Sequence, residues 1–199
     1  MSAALRPPPM TLAEFLAWEE RQPTKWEFDG FAPVAMTGGT SAHSSIAVNL
    51  AAALRPRLGR GPCRFFNSDM KLLTARGTSR YPDGMVVCSP VRLDATSVAD
   101  PVVVFEVLSP STAGEDHGEK MREYRDTPSV RRYVILESDR VGATVFARGE
   151  GGAWVGAVLD AGDSLGMPEI GVEVPLAELY EGLDLGPEAA RPAPGEPPR

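Results

Sequence analysis

Residues 102–108 read Val-Val-Val-Phe-Glu-Val-Leu, an apolar run broken once, by Glu106. A run of this kind, rich in β-branched residues, fits a central strand covered on both faces. An ionised carboxylate inside such a strand is costly to bury without a compensating cation, a metal ion or a raised pKa. The fold must therefore place a sheet at its centre, with layers on both sides and some partner for Glu106.

The flanking pattern supplies those layers. Thr11-Leu-Ala-Glu14 is a capping box that opens a helix carrying Phe15, Leu16 and Trp18, with Pro23 as its stop. Lys25–Phe28 and Phe31–Met36 flank Asp29-Gly30, a hairpin signal. A helix is expected from about Ser41 to Leu54, ended by Pro56, with His43, Ile46, Ala47, Leu50 and Leu54 on one stripe. Strands are expected over Arg64–Leu73, Tyr81–Cys88 and Pro101–Leu108. A charged helix follows over Glu115–Asp126, then a strand at Arg132–Leu136 and a hairpin of Val141–Arg148 with Trp154–Leu159. Glu173–Tyr180 closes the pattern as a short strand and helical turn. This order predicts an α/β (α+β) fold, one mixed β-sheet flanked by helices. Residues 10–185 are expected as a single domain, between a disordered arm at 1–9 and a disordered Pro/Gly-rich tail at 186–199.

Charge narrows the function. The net charge is −7, whereas a protein that binds nucleic acid chiefly by neutralising phosphates should be basic. Bound metal ions can still supply local positive charge to an enzyme. No apolar run approaches the ~18 residues of a membrane span, so no membrane association is expected. Two cysteines, Cys63 and Cys88, are read as small buried hydrophobes in a cytoplasmic protein, without a disulfide framework.

Asp83, in Tyr81-Pro82-Asp83-Gly84, begins the next apolar strand. Two strands each delivering a carboxylate to one sheet edge would make an oxygen-rich site suited to Mg²⁺ or Mn²⁺. Pro82-Asp83, Glu106-Val-Leu-Ser-Pro-Ser-Thr112, Asp116, Lys120, Tyr124 and Arg132-Tyr-Val-Ile-Leu136 together resemble the Uma-two endonuclease family. The likeness includes Trp26-Glu27-Phe28-Asp29-Gly30 and His43, and spans roughly Thr11 to Arg148. That family lies in the PD-(D/E)XK restriction-endonuclease-like superfamily.

The resemblance implies a restriction-endonuclease-like mixed sheet and a divalent-metal endonuclease acting on nucleic acid, with DNA the first expectation. Asp83, Glu106 and Glu27 would be metal ligands. The strand lysine of the superfamily is missing, because position 108 is Leu. Lys120, on the following helix, is the candidate replacement. It would orient the nucleophile and stabilise phosphate charge. The plainer reading pairs it with Asp116 on a solvated helix face. His43 is a candidate proton carrier or phosphate contact. Ser109, Ser111 and Thr112 are read as caps and loop residues, Lys71, Arg76 and Arg80 as a solvated hairpin rim, and His117 has no assigned role.

Two other functions fit the same residues. One is a catalytically weak or inactive nuclease-fold protein serving binding or assembly. The other is an interaction module whose Val141–Leu159 hairpin builds a homodimer, which is compatible with cleavage because two sites can cut two strands. No helix-turn-helix or zinc-finger pattern is present to read DNA sequence.

Overall fold

A computed structural model describes residues 9–36, 38–108 and 115–185, apart from the side chains of 115–117. Residues 1–8 of the expected arm, the expected tail, Ser109, Ser111, Thr112 and the side chains of Asp116 and His117 lie outside that description.

Helix α1 (Leu12–Glu19) opens with the full capping box, Thr11 and Glu14 each satisfying the other's backbone N–H. Strands β1 (Trp26–Phe28) and β2 (Pro33–Ala35) form the expected hairpin. Asp29 Oδ1 accepts from the N–H groups of Phe31 and Ala32, fixing the turn. Helix α2 (Ser41–Leu58), capped by Thr40, runs past Pro56 rather than ending there. Proline at this point forfeits one bond in the last turn, and Arg57 beyond it is anchored bidentately by Glu178.

The expected strand Arg64–Leu73 is two strands, β3 (Arg64–Asn67) and β4 (Lys71–Leu73). They separate at a turn after Asn67, whose side chain accepts from Asp69 N–H. Tyr81–Cys88 likewise divides into β5 (Ser79–Arg80) and β6 (Gly84–Val87). Pro82 has no N–H to give a ladder, so the break falls around it. Next come β7 (Ser97–Val98), β8 (Val103–Leu108), helix α3 (Glu115–Asp126), β9 (Arg132–Glu137), β10 (Gly142–Arg148) and β11 (Trp154–Asp160). The hairpin of β12 (Ser164–Met167) and β13 (Val172–Pro175) and the turn Leu176–Tyr180 complete the described chain. Strand β12 has no counterpart in the sequence reading, because Ser-Leu-Gly-Met is short and carries a glycine.

The main sheet is ordered β11-β10-β9-β8-β6-β3. Its β8–β9 pair is parallel, joined through α3, and the other pairs are antiparallel. A second sheet is ordered β2-β1-β5-β4-β7. The central strand is covered on both faces, as expected. Val103, Phe105 and Val107 pack with Ile46, Leu50 and Leu54 of α2. Val104 and Ile135 pack on the other face with Tyr124 of α3 and Leu72. Glu106 shares the side of Val104 by strand alternation, and so looks toward α3.

Cys63 and Cys88 correct the sequence reading: they are joined in a disulfide. The register that pairs Arg64 with Val87 brings the two cysteines opposite one another at the end of β3 and β6.

Candidate active site

The site lies where β1, β5, β6, β8 and α3 converge. Asp83 stands at the threshold of β6, beside the strand that carries Glu106. Its Oδ2 accepts from the Val107 backbone N–H at 2.7 Å and faces His43 Nε2 at 3.1 Å. Two glycines next to these residues leave room for neighbouring rings. A Cβ on Gly84 would sit 2.8 Å from the Phe65 ring and 3.0 Å from Leu50, and one on Gly39 would sit 2.7 Å from His43 Nδ1. The bond to Asp83 holds the His43 imidazole above its usual pKa, favouring the imidazolium.

Glu106 is buried, 6% exposed. Tyr124 O–H donates to its Oε1 at 2.8 Å, and Lys120 Nζ stands 3.3 Å from the same oxygen. Burial is the largest influence on its carboxyl and pushes it up to about 7. Lys120 works against that rise, while the negative charges of Asp83 and Glu27 reinforce it. Burial and the adjacent Glu106 carboxylate raise the Tyr124 phenol well above its usual value, so it stays a donor.

Glu27 reaches the same place from β1. Its Oε1 accepts from Tyr81 N–H at 3.0 Å and lies 3.7 Å from Lys120 Nζ; its Oε2 takes Arg80 Nη1 at 3.2 Å. Arg80 is 2% exposed and grips Glu123 bidentately, at 2.8 and 2.6 Å. Burial opposes its charge, but Glu123 and Glu27 outweigh burial and keep the guanidinium protonated. Lys120, Glu123 and Tyr124, spaced i, i+3 and i+4, thus present one face of α3 to three strands.

All five sequence-derived candidates, Asp83, Glu106, Lys120, Glu27 and His43, meet in this region. The rim reading of Lys71 and Arg80 is overturned. Lys71 Nζ pairs with buried Glu19 at 2.8 Å, and Tyr81 O–H donates to the same carboxylate at 2.7 Å. Arg76 does lie on the exposed rim, paired with Asp126 at 2.9 Å. Sequence reading missed Glu19, Glu123 and the role of Arg80. Glu19 could have been found, because it shares the α1 stripe of Phe15 four residues earlier.

The local charges do not cancel. Lys71 answers Glu19, and Arg80 answers Glu123. Among the described residues Arg80 also bonds Glu27, Glu27 and Glu106 share Lys120, and Asp83 meets His43, so four carboxylates surround two permanent cations and one histidine. The donors are hard oxygens with surplus negative charge, which suits Mg²⁺ or Mn²⁺ held by one or two carboxylates and water. Among the described residues no three acidic, histidine or cysteine side chains form a ready metal cage.

The fold defines the class. Over 86% of its length the chain superposes on a crystal structure from Anabaena variabilis described as "a putative nuclease belonging to DUF820". The TM-score is 0.71 with 16% identity, and 98% of that structure is covered. This is a restriction-endonuclease-like fold. The chain belongs to the Uma2 family, described as "Putative restriction endonuclease", whose model matches residues 12–177. The resemblance read from the motifs is borne out. Two uncharacterised proteins of Synechocystis sp. are similar. One is 35% identical over 179 residues, covering 88% of this chain and 94% of that protein. The other is 33% identical over 132 residues, covering 64% and 75%. No helix among the described residues is long and apolar enough to cross a membrane.

Proposed function

We propose that this chain is a divalent-metal-dependent endonuclease that hydrolyses phosphodiester bonds in nucleic acid, DNA foremost. The supporting observation is the surplus of carboxylate at the buried junction: among the described residues Glu27, Asp83, Glu106 and Glu123 gather around two permanent cations, Arg80 and Lys120, and His43. Asp83 and Glu106 would hold Mg²⁺ or Mn²⁺. When bound, such an ion lowers the pKa of a coordinated water and polarises the scissile phosphate. Glu27, first read as a third ligand, is reassigned here: with Arg80, Tyr81 N–H and Lys120 around it, it positions the lysine. Lys120 supplies the ammonium that the superfamily pattern places on the strand, where this chain has Leu108. Tyr124 keeps the Glu106 carboxylate aimed by its hydrogen bond. His43, held by Asp83, can carry a proton toward the leaving oxygen.

The proposal includes a homodimer, residues 10–185 as one domain and action in the cytoplasm. The Cys63–Cys88 bond removes the cysteine argument for that compartment, which then rests on the nucleic-acid substrate alone. Cleavage of plasmid and oligonucleotide DNA and RNA, with Mg²⁺ and with Mn²⁺, tests the reading. Asp83→Ala should lose both Mn²⁺ binding and cleavage, and undiminished cleavage in that variant would refute the mechanism. A second reading is favoured by one observation: Lys120 is already engaged by two carboxylates. On that reading the protein binds metal and nucleic acid but cuts poorly. Mn²⁺ binding without turnover would select it.

A further inference from the structure

Strand β11 forms one edge of the main sheet, and its hydrogen-bonding pattern shows which groups face outward. Gly149 N–H donates to Ala153 O at 2.7 Å, just beyond the Arg148–Trp154 pair of the β10–β11 register. Antiparallel partners alternate between bonded and non-bonded pairs. Ala153, Val155, Ala157 and Leu159 therefore bond toward β10, and Trp154, Gly156 and Val158 point their N–H and C=O groups outward. Asp160 N–H belongs to the outward series and is closed off by Asp163 Oδ2 at 2.8 Å. The open edge is thus three residues, centred on Gly156.

This edge lacks the usual guards. Residues 154–159, Trp-Val-Gly-Ala-Val-Leu, include no charge and no proline, and Val155 and Val158 are 62% and 46% exposed. The opposite edge, β3, is four residues long, carries exposed Arg64 and is tied to β6 by the disulfide beside it.

An aromatic row also ends at β11. Tyr124 and Tyr133 lie 5.0 Å apart, and Tyr133 stacks with Phe146 at 6.3 Å. The Phe146 ring lies over Gly156, where a Cβ would stand 3.3 Å from its edge. The row stops at the residue on which a two-fold axis would fall.

We infer that β11 is the seam at which two copies of this chain join, antiparallel about Gly156, into one continuous sheet. Gly156 would face its counterpart, and Trp154 would face the partner's Val158, with about six backbone hydrogen bonds exchanged. The facing glycines leave a trough that both Phe146 rings fill, while Trp154 covers an exposed valine. The chain's own ends fit this edge poorly. Residues 186–199 hold five prolines and residues 1–9 hold three, and proline cannot donate to a ladder. The inference takes from the proposed function only that the partner is a second copy.

Light scattering over a micromolar concentration series tests it. The wild type should weigh twice the 21.3 kDa of one chain. Val158→Lys should halve that mass while circular dichroism stays unchanged, and Val48→Lys, on exposed α2 surface, should leave the mass doubled. Gly156→Cys should give an oxidised, reductant-sensitive dimer, and Leu93→Cys should not. A monomeric wild type, a folded Val158→Lys dimer or an uncrosslinked Gly156→Cys protein would each overturn the seam. Mass and crosslinking are independent of cleavage, so an inactive protein with this seam refutes only the nuclease reading.

Discussion

Replacing Glu106 by Gln should make the metal-free protein more stable in mild base while destroying its metal affinity. The carboxyl titrates at about 7 in the fold against an ordinary 4.5, with burial the leading cause. Its folded pKa is raised, so the folded chain keeps a proton that the unfolded chain releases from about pH 4.5 upward. Stability due to this group is therefore full at low pH, falls as pH climbs toward 7, and levels off above. The difference of about 2.5 units, at about 1.36 kcal/mol each, amounts to about 3 kcal/mol.

Glutamine can still accept from Tyr124, and Lys120 keeps Glu27 as a neighbour. The variant should thus match the wild type near pH 4.5 and exceed it by about 3 kcal/mol at pH 8.5. For a chain of this size that is roughly 6–12 °C in Tm. Urea titrations at both pH values in chelator measure it. Added Mn²⁺ should then stabilise the wild type at pH 8.5 and leave Glu106→Gln unmoved. A wild type as stable as the variant at pH 8.5 in chelator would refute the claim that burial and the neighbouring carboxylates outweigh Lys120 at Glu106.

Three further outcomes are expected. Lys120→Met should lower kcat by about 10²–10³-fold in the nuclease assay while Mn²⁺ still binds by electron paramagnetic resonance. Glu123→Gln leaves Arg80 with Glu27 as its remaining carboxylate, and loss of a buried partner should cost about 3–5 kcal/mol in urea unfolding. Replacing both Cys63 and Cys88 by Ala opens a loop of sequence separation 25 and should lower stability by about 3 kcal/mol, a loss that reductant reproduces in the wild type.

How much of this was legible beforehand differs by residue. The single Glu106 inside an apolar strand announced both a two-sided sheet and a compensated carboxylate, because burial and charge conflict within one local pattern. Asp83 and His43 were legible as well, one from a strand threshold and the other from a helix stripe. Arg80 and Lys71 were not. Short strands of two or three residues carry little periodic signal, and whether a cation beside a turn is solvated depends on which distant carboxylate the fold delivers to it. Glu123 supplies that carboxylate to Arg80 from 43 residues away. The disulfide was hidden for the same reason: only the antiparallel register of β3 on β6 brings Cys63 opposite Cys88.

The acidic net charge and the proposed cleavage of a polyanion are reconciled at the same junction. A net charge of −7 gives the chain little general attraction for phosphate. Affinity must then come from a few local positive centres, and Arg80 and Lys71 are already neutralised by Glu123 and Glu19. At the junction Lys120 and protonated His43 remain, beside Glu27, Glu106 and Asp83. Metal-free, the pocket should repel a phosphodiester; with a divalent ion held by Asp83 and Glu106 the local sign is reversed. Nucleic-acid affinity should therefore depend on the ion and not merely on its role in turnover. Fluorescence anisotropy with a non-cleavable phosphorothioate duplex should show binding with Ca²⁺ or Mn²⁺ and little in chelator. Equal affinity in chelator would place the substrate elsewhere on the protein and detach the acidic junction from recognition.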